Sequence, residues 1–363
     1  MEKANQNVYA VILAGGSGTR FWPKSRHLTP KQLCKIGDED LTMLELTLGR
    51  LDGFIPPSRR IIVTHKDQAV KTRELTEGLC GHVIAEPMAK NTAPALALAA
   101  LAIERLSGDQ NPIMISLHAD AIIRDTKGFL DTLDKAVKVA QAGYLSLIGV
   151  PTKSPETGYG YIESGDLLEG TSGFKVTSFK EKPDLETAKI YEKDPNLFWN
   201  SGIFTWQTAV FLAELDRSVP TISRALSQNL DGSKDFYDPL KNHMAEAYAS
   251  LPKISVDNAI LESSKKVAMV AASFDWQDVG SWDALPKTFS VDEFGNCING
   301  DTIVIDSKNS VIDSDGPLVA CIGISDTCVI AAKGAILVCP ADRAQEVKKI
   351  VDRLKETNRT NYL

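Results

Sequence analysis

Short apolar runs alternate with amphipathic stretches through most of this chain. Strands are predicted at 9–13, 60–64, 113–117 and 144–150, and helices at 94–106 and 129–142. This alternation is typical of an open α/β sheet whose strands are covered by helices. The apolar runs at 159–163 and 174–179 have no helix between them, so we expect an antiparallel excursion there.

From about residue 293 the pattern changes to short β-branched runs broken by Gly, Asn and Asp. The runs lie at 301–306, 310–313 and 327–330, at loose rather than strict intervals. They predict a small β domain, either a short irregular β-helix or a β-roll, followed by a helix at 343–357. We therefore expect an α/β domain over residues 1–290 and a β-rich C-terminal domain over residues 291–363.

The charge balance argues against a nucleic-acid partner. The 363 residues include 40 Lys and Arg against 47 Asp and Glu, so the chain has no basic field for a nucleic-acid backbone. The opening MEKANQN lacks the features of a signal peptide, and no apolar run approaches the roughly 20 residues that span a bilayer. The six cysteines show no metal or disulfide spacing. We expect a cytoplasmic protein with no membrane partner.

A glycine-rich segment follows the first strand, and its glycines let several N–H groups turn toward one anion. It lacks the GK[ST] of a Walker A loop, and Phe21 stands where a dinucleotide fingerprint has its third glycine. A plain strand-to-helix turn is the alternative, but Arg20 and Lys31 add the fixed charge that phosphates need. The candidate nucleotide-binding residues here are Leu13, Ala14, Gly15, Gly16, Ser17, Gly18, Thr19, Arg20 and Lys31.

Asp120 comes just after the predicted strand at 113–117, where open α/β sheets usually hold their ligands. It is the first candidate metal ligand, although a turn-forming surface Asp would look the same. The five histidines form no H-x-x-x-H pair, and no Ser or Cys sits in a nucleophile elbow. A covalent intermediate therefore has no support.

The run GGSGTRFWPKSRHLTPKQ resembles the signature of the sugar-phosphate nucleotidyltransferase family, with details of its mannose-1-phosphate guanylyltransferase branch. Further similar segments follow in the family's order over about residues 8–285. They are EPMAKNTAP from Glu86, TGYGYIE from Thr157, FKEKP from Phe179, WNSG from Trp199, SVDN from Ser255 and DWQDVGSW from Asp275. The resemblance implies a Rossmann-like, glycosyltransferase A-like mixed sheet flanked by helices.

The resemblance also implies an activity: joining mannose 1-phosphate to GTP to give GDP-mannose and diphosphate. It implies a Mg²⁺ cofactor held by Asp120 and Asp278, with Asp275 ranked behind as a turn cap. Glu86 and Asn91 would face the nucleotide, and Thr92 is a candidate N-cap of the following helix. The implied catalytic residues are Arg20, Lys31, Asp120 and Lys182. The implied sugar-binding residues are Gly158, Tyr159, Gly160, Glu163, Glu181, Lys182 and Asn200.

The chain departs from the family at Ala121, where a histidine usually follows the aspartate. Two alternatives stay open: a transferase for another nucleotide or hexose, and a catalytically silent nucleotide-sugar-binding regulatory subunit. Longer relatives carry a cupin-type isomerase domain, for which this chain has no room, so a single activity is expected. Short β segments with exposed apolar faces suggest a homodimer formed through the C-terminal domain.

Overall fold

Strands and helices alternate along the chain much as the hydrophobic pattern predicts. The computed structural model describes residues 7–16, 18–37, 40–108, 111–228 and 245–363. The strands in those ranges are β1 (Val8–Leu13), β2 (Arg60–His65), β3 (His82–Glu86), β4 (Ile113–His118), β5 (Ala121–Ile122), β6 (Leu145–Pro151), β7 (Gly160–Leu167), β8 (Phe174–Glu181), β9 (Leu197–Gln207), β10 (Val267–Ala271), β11 (Gln277–Asp278), β12 (Cys297–Asn299), β13 (Thr302–Ile305), β14 (Val311–Ser314), β15 (Val319–Ile322), β16 (Thr327–Ala332) and β17 (Ala335–Pro340).

Within the described ranges, α-helices lie between or after many of these strands. They are α1 (Met43–Gly49), α2 (Lys66–Leu75), α3 (Thr92–Ser107), α4 (Thr126–Gln141), α5 (Leu185–Tyr191), α6 (Thr208–Ser218), α7 (Pro220–Gln228), α8 (Ala245–Ser250) and α9 (Val347–Glu356). Short 3₁₀ turns cover Thr19–Phe21, Lys31–Leu33 and Trp282–Lys287.

Two compact units share the chain, and both are discontinuous in sequence. The first, here called the sheet unit, comprises residues 1–15, 48–118 and 123–276. The second, here called the β-helix unit, comprises residues 16–47, 119–122 and 277–363. The glycine-rich loop and the segment after it therefore fold with the C-terminal region. The boundary near residue 290 remains a sequence-based prediction, whereas these units follow contacts in space.

The sheet unit is built on a mixed sheet, in agreement with the expected fold class. Its nine described strands have the order β3-β2-β1-β4-β9-β6-β10-β8-β7. Strands β1 to β4 run parallel, and β4 lies on the opposite side of β1 from β2. The carboxyl ends of β1 and β4 thus flank the point where strand order reverses, the usual ligand position in such sheets. The hairpin of β7 and β8 is antiparallel, as predicted.

Helix α3 is buried along most of its length because its alanines allow close approach on several sides. It begins at Thr92, and Asn91 rather than Thr92 is its N-cap: Asn91 Oδ1 accepts a hydrogen bond of 2.9 Å from the Thr92 N–H. The Thr92 hydroxyl is used elsewhere, since it accepts from the Val256 N–H at 2.9 Å. The expectation that Thr92 caps the helix was therefore wrong.

The β-helix unit carries the short strands predicted near the C-terminus. Strands β12, β14 and β16 stack in parallel, as do β13 and β15, while β17 pairs antiparallel with β16. Parallel stacking of successive short strands is the arrangement of a β-helix. Its core continues into aromatic residues of the early segment, because Phe21 and Trp22 share one apolar cluster with Trp282, Val311 and Ile330.

Candidate functional site

The turn after the glycine-rich loop is fixed by close backbone packing within the β-helix unit. Gly18 has a φ of 55°, and a Cβ there would lie 2.5 Å from the Lys31 Cβ, so only glycine fits. The Ser25 hydroxyl donates to the Gly18 carbonyl at 2.8 Å. The Gln32 amide donates to the Gly16 carbonyl at 3.1 Å. Ser17 lies outside the described residues.

Two cations follow this turn. Arg20 is exposed, and its guanidinium donates to the Gly280 carbonyl at 3.3 Å. The Lys31 side chain is 5% exposed, and its ammonium lies 5.2 Å from the centre of the Phe21 ring. The same ammonium lies 3.2 Å from Asp120 Oδ2 and 3.3 Å from the Asp120 carbonyl oxygen. Lys31 is thus held between an aromatic face and the first candidate metal ligand.

The two candidate metal ligands come together through a pair of very short strands. Strand β5 follows Asp120 directly, and β11 pairs with it antiparallel so that Asp278 stands opposite Ala121. This pairing uses main-chain groups, so it does not depend on the side chain at position 121. Asp275, in the sheet unit, instead accepts hydrogen bonds from the N–H groups of Arg124 and Asp125. These contacts hold the turn that precedes α4, and the lower rank of Asp275 as a metal ligand stays a prediction.

A pocket of about 350 Å³ unites these groups within the β-helix unit. It is lined by Gly18, Thr19, Arg20, Phe21, Lys31, Asp120, Asp278, Gly280 and Lys348. Among the described residues, no group of three or more His, Cys, Asp or Glu side chains is placed to hold a metal ion. A pair of carboxylates beside an anion site nevertheless fits Mg²⁺, which takes its remaining ligands from phosphate and water.

The remaining nucleotide candidates lie in the sheet unit, at the carboxyl ends of its parallel strands. Leu13 pairs with Val63 on one side and with His118 on the other. The Ala14 N–H donates to the Val63 carbonyl at 2.8 Å, so it belongs to the sheet rather than to the group of N–H donors turned toward an anion. Gly15 leaves room beside Glu86, whose Oε2 would lie 3.4 Å from a Cβ at that position.

Glu86 is a buried carboxyl whose hydrogen-bond partner is a tyrosine rather than a cation. The Tyr248 hydroxyl donates to Glu86 Oε1 at 3.4 Å, and the same hydroxyl lies 3.5 Å from the Pro94 carbonyl. Burial raises the pKa of Glu86 to about 8, against a smaller opposing effect of the Tyr248 hydrogen bond. Glu86 therefore carries a proton at neutral pH and can donate as well as accept a hydrogen bond.

The candidate sugar residues gather around the β7–β8 hairpin of the sheet unit. Gly160 stands opposite Glu181 in the strand register, and the Lys182 N–H donates to the Tyr159 carbonyl at 3.2 Å. The Tyr159 ring makes edge-to-face contacts with Trp199 and Trp276, at centroid distances of 5.4 and 5.3 Å. Gly158 is exposed at the tip of the same segment. The aromatic contacts fix the position of this loop.

Glu163 and Asn200 each have a protein partner in the sheet unit. The Ser178 hydroxyl donates to the Glu163 carboxylate. The Asn200 amide donates to Asp257 Oδ1 at 3.0 Å, and its oxygen accepts from the Gly202 N–H. Gly202 has a φ of 71°, and a Cβ there would lie 2.7 Å from the His118 ring. Asp257 is a neighbour of the sugar candidates that sequence reasoning did not single out.

Several other features of the site were not found from the sequence. They are Lys348 as a pocket residue, the Gly280 carbonyl that accepts a hydrogen bond from Arg20, the Phe21 ring that faces the Lys31 ammonium, and the Tyr248 hydroxyl that donates to Glu86. Each lies far along the chain from its partner or carries no charge, so no local spacing indicates it. Phe21 and Gly280 lie within motifs quoted from the sequence, but the contacts that they make did not follow from those motifs.

Comparisons with known proteins show the family of the chain. A family model described as nucleotidyl transferase matches residues 9–293, and one described as a mannose-P isomerase/GMP-like β-helix domain matches residues 300–354. The chain is 37% identical to a mannose-1-phosphate guanylyltransferase of Escherichia coli K12, over 99% of this chain and 76% of that protein. The chain belongs to the mannose-1-phosphate guanylyltransferase family.

Further relatives of the mannose-1-phosphate guanylyltransferase family extend the match. A protein of that name from Klebsiella pneumoniae is 37% identical over 97% of this chain and 75% of its own length. A crystal structure from Thermus thermophilus, described as a mannose-1-phosphate geranyltransferase, has a TM-score of 0.86 and 32% identity. It covers 96% of this chain and 99% of that one. These matches confirm the fold class, the β-helix and the enzyme class inferred from the sequence.

The sequence predicted no membrane-spanning segment, and the structure bears on this only through its helices. Across the described ranges, the helices are all too short or too polar to cross a bilayer.

Proposed function

We propose that this protein transfers the guanylyl group of GTP to mannose 1-phosphate, forming GDP-mannose and diphosphate. The observation that carries the proposal is the pocket in which Arg20 and Lys31 lie beside Asp120 and Asp278. Cations and a carboxylate pair around one small cavity suit a polyphosphate with its metal ion. The substrates are taken from the names of the relatives, which act as mannose-1-phosphate guanylyltransferases.

The reaction is an in-line displacement at the α-phosphorus. An oxygen of mannose 1-phosphate attacks, a new P–O bond forms, and the bond to the departing diphosphate breaks. The attacking phosphate is already ionised at pH 7, so no protein group has to remove a proton. The task of the protein is to hold two anions together and to balance charge on the leaving group. Arg20, Lys31 and Lys182 are assigned to that task.

Asp120 and Asp278 are assigned to Mg²⁺. When bound, the ion supplies charge neutralisation on the phosphate oxygens. Lys31 has two roles in this assignment. One follows from its contact with Asp120, since its ammonium lies 3.2 Å from the Asp120 carboxylate. It keeps the carboxylate in place, and it adds positive charge beside the phosphates.

The base and sugar are assigned to residues of the sheet unit. Glu86, protonated at neutral pH, and Asn91 offer hydrogen bonds to the purine. Glu163 and Asn200 offer planar polar groups to sugar hydroxyls, with Gly158, Tyr159 and Gly160 forming the adjoining backbone, and Glu181 stays a sequence-based candidate. Whether guanine and mannose are selected over other bases and hexoses is decided by experiment.

Pyrophosphate release from purified protein with Mg²⁺ is the test. We expect rapid release with GTP and mannose 1-phosphate, and slow release when another nucleoside triphosphate or glucose 1-phosphate replaces either substrate. Release with a different pair would keep the chemistry and change the assigned substrates. Absence of release with every pair would contradict the proposal and favour the regulatory alternative.

Asp120→Asn tests the metal assignment. The amide keeps the shape of the side chain and removes its charge, so we expect kcat/KM to fall by at least about a hundredfold at saturating Mg²⁺. Asp134→Asn is the matched control, because Asp134 pairs on the surface with Lys138 and should leave turnover unchanged. Near-normal turnover of Asp120→Asn would overturn the assignment.

The proposed setting of the enzyme is a cytoplasmic homodimer joined through the β-helix unit. Its support is a set of exposed aliphatic side chains on that unit: Ile303, Ile305, Ile322, Ile336 and Val338. Such side chains on short strands are often covered by a second copy. A monomeric mass in light scattering would contradict the dimer.

A further inference from the structure

Helix α9 brings a basic residue to the pocket that the proposed reaction does not yet use. Lys348 lies in the first turn of α9 and lines the same cavity as Arg20, Lys31, Asp120 and Asp278. Its position is set by the core of the β-helix unit, because its neighbours Val347 and Val351 belong to the apolar cluster that contains Phe21 and Trp22. The early loop and the late helix are thus held by one core.

The other basic side chains around α9 differ from Lys348 in their partners. The surface ion pairs there are Arg343 with Glu346, Lys349 with Glu346, Arg353 with Glu356 and Lys355 with Asp352. The Lys348 ammonium, by contrast, has no hydrogen bond or ion pair to any residue that the structure describes, and the Lys348 side chain is exposed. Ordinary helix-surface pairing therefore accounts for the neighbours of Lys348 and leaves Lys348 itself unexplained.

The negative charge of a bound polyphosphate would call for a further cation in the pocket, and Lys348 can supply it. Lys31 is already engaged with Asp120 at 3.2 Å, and Arg20 donates to the Gly280 carbonyl at 3.3 Å. A nucleoside triphosphate adds several negative charges to this cavity, and more charge collects on the diphosphate as it leaves. A lysine ammonium on a flexible stem suits that need, since it binds phosphate as a point charge.

We propose that Lys348 is a phosphate-binding residue of the nucleotide site, contacting the part of the triphosphate that leaves as diphosphate. This inference rests on the proposed function for its substrate, but its ligand chemistry is more general: a polyphosphate with Mg²⁺. The C-terminal helix α9 then contributes a side chain to the site, in addition to packing in the core that holds the early loop.

The test compares the wild type with Lys348→Ala, Lys348→Arg and Lys349→Ala. Inorganic pyrophosphate with Mg²⁺ is titrated into each protein by calorimetry, so the readout does not require turnover. We expect Lys348→Ala to raise the Kd for pyrophosphate about tenfold, which is the effect expected for the loss of a charge-assisted hydrogen bond. The Kd of Lys348→Arg should stay within about twofold of the wild-type value, and the Kd of Lys349→Ala should equal the wild-type value. Raising the salt concentration should reduce the difference in Kd between Lys348→Ala and the wild type.

Folding does not confound this comparison, because alanine is favourable in an exposed helix position and circular dichroism checks the fold. Equal pyrophosphate affinity of Lys348→Ala and the wild type would overturn the inference, as would a wild type that binds no pyrophosphate. Failure of the proposed function has a different outcome: the wild type would bind pyrophosphate and need Lys348 for it, yet release none from GTP and mannose 1-phosphate.

Discussion

Two buried carboxyl groups, one in each compact unit, have different kinds of partner. In the β-helix unit, Lys24 and Asp313 have side chains 3% and 1% exposed and form a direct ion pair, with Lys24 Nζ 2.8 Å from Asp313 Oδ1. In the sheet unit, Glu86 is also buried but has a tyrosine hydroxyl as its partner. Asp313 is thus held in an ion pair, whereas burial favours the neutral form of Glu86 at pH 7.

The difference follows from what each group has to do. Lys24 belongs to the early segment and Asp313 to β14, so their pair fixes one piece of the β-helix unit against another. Burial alone would lower the pKa of Lys24, but Asp313 and Asp315 outweigh this and raise it, so the ammonium stays charged. Glu86 stands at a strand end next to Gly15, where a neutral carboxyl remains available to a ligand. Paired charge suits a structural contact, and a neutral carboxyl with a raised pKa suits a binding position.

The largest effect is expected when Lys24 is replaced by Met. This substitution leaves the Asp313 carboxylate buried without its cation, which should lower the free energy of unfolding by about 3–5 kcal/mol. Urea or thermal unfolding at pH 7 measures the loss.

The double variant Lys24→Met with Asp313→Leu is the control for that result. It removes both charges, so it should recover most of the stability lost in the single variant. A single variant as stable as the wild type would show that the pair does not hold the early segment in place.

An intermediate, pH-dependent effect is expected for Glu86→Gln. The folded-state pKa of about 8 lies above the ordinary value near 4.5, so the folded protein holds this proton more firmly than the unfolded chain. Stability should therefore fall as the pH rises from about 4.5 to about 8. Glu86→Gln should remove that pH-dependent loss of stability, because glutamine does not titrate.

Melting temperatures of Glu86→Gln and the wild type, taken between pH 5 and pH 9, check this. The advantage of the variant should grow up to about pH 8 and then level off. Tyr248→Phe is a useful companion, because it removes the hydroxyl that lies 3.4 Å from the carboxyl and leaves the ring in place. A difference between Glu86→Gln and the wild type that does not change with pH would contradict a protonated Glu86.

The smallest effect is expected for Asp52→Asn. Arg60 is buried in the sheet unit, and its guanidinium donates to the carbonyls of Ile55 and Leu79 as well as to Asp52. The Asp52 side chain is 72% exposed, so solvent screens its charge, and its loss should cost less than about 1 kcal/mol. A cost close to that of Lys24→Met, in the same unfolding measurement, would show that the exposed Asp52 stabilises its buried partner as much as the buried Lys24 stabilises Asp313.

Much of the fold followed from local patterns in the sequence. The strands at β1, β2 and β4 and the helices α3 and α4 have strong apolar periodicity over enough residues to fix their type, and their ends shifted by only a few residues. The β-helix was recognisable because β-branched runs such as Thr302–Ile305 recur between turn residues. Motifs of fixed spacing, from Gly15 to Lys31, also pointed to residues that line the pocket of the β-helix unit.

What the sequence did not reveal depends on long-range pairing. The two-residue strand β11 has no hydrophobic pattern, yet its register with β5 brings Asp278 beside Asp120. The central antiparallel strand β9 was not predicted as a strand, although it separates β4 from β6 in the sheet. Lys348 looks like any other solvent-exposed lysine on a helix until the core places that helix beside the loop. Contacts of this kind are set by packing, which single-sequence periodicity does not encode.

The shared core of the early loop and the late helix has a consequence for synthesis. Residues 18–37 leave the ribosome long before α9, and at about 5–20 residues per second the delay exceeds about 15 seconds. During that time Phe21 and Trp22 have no late partners to cover them. A nascent chain therefore exposes aromatic surface of its phosphate loop until translation nears residue 350, and chaperone occupancy over this interval is expected to be highest at these two side chains.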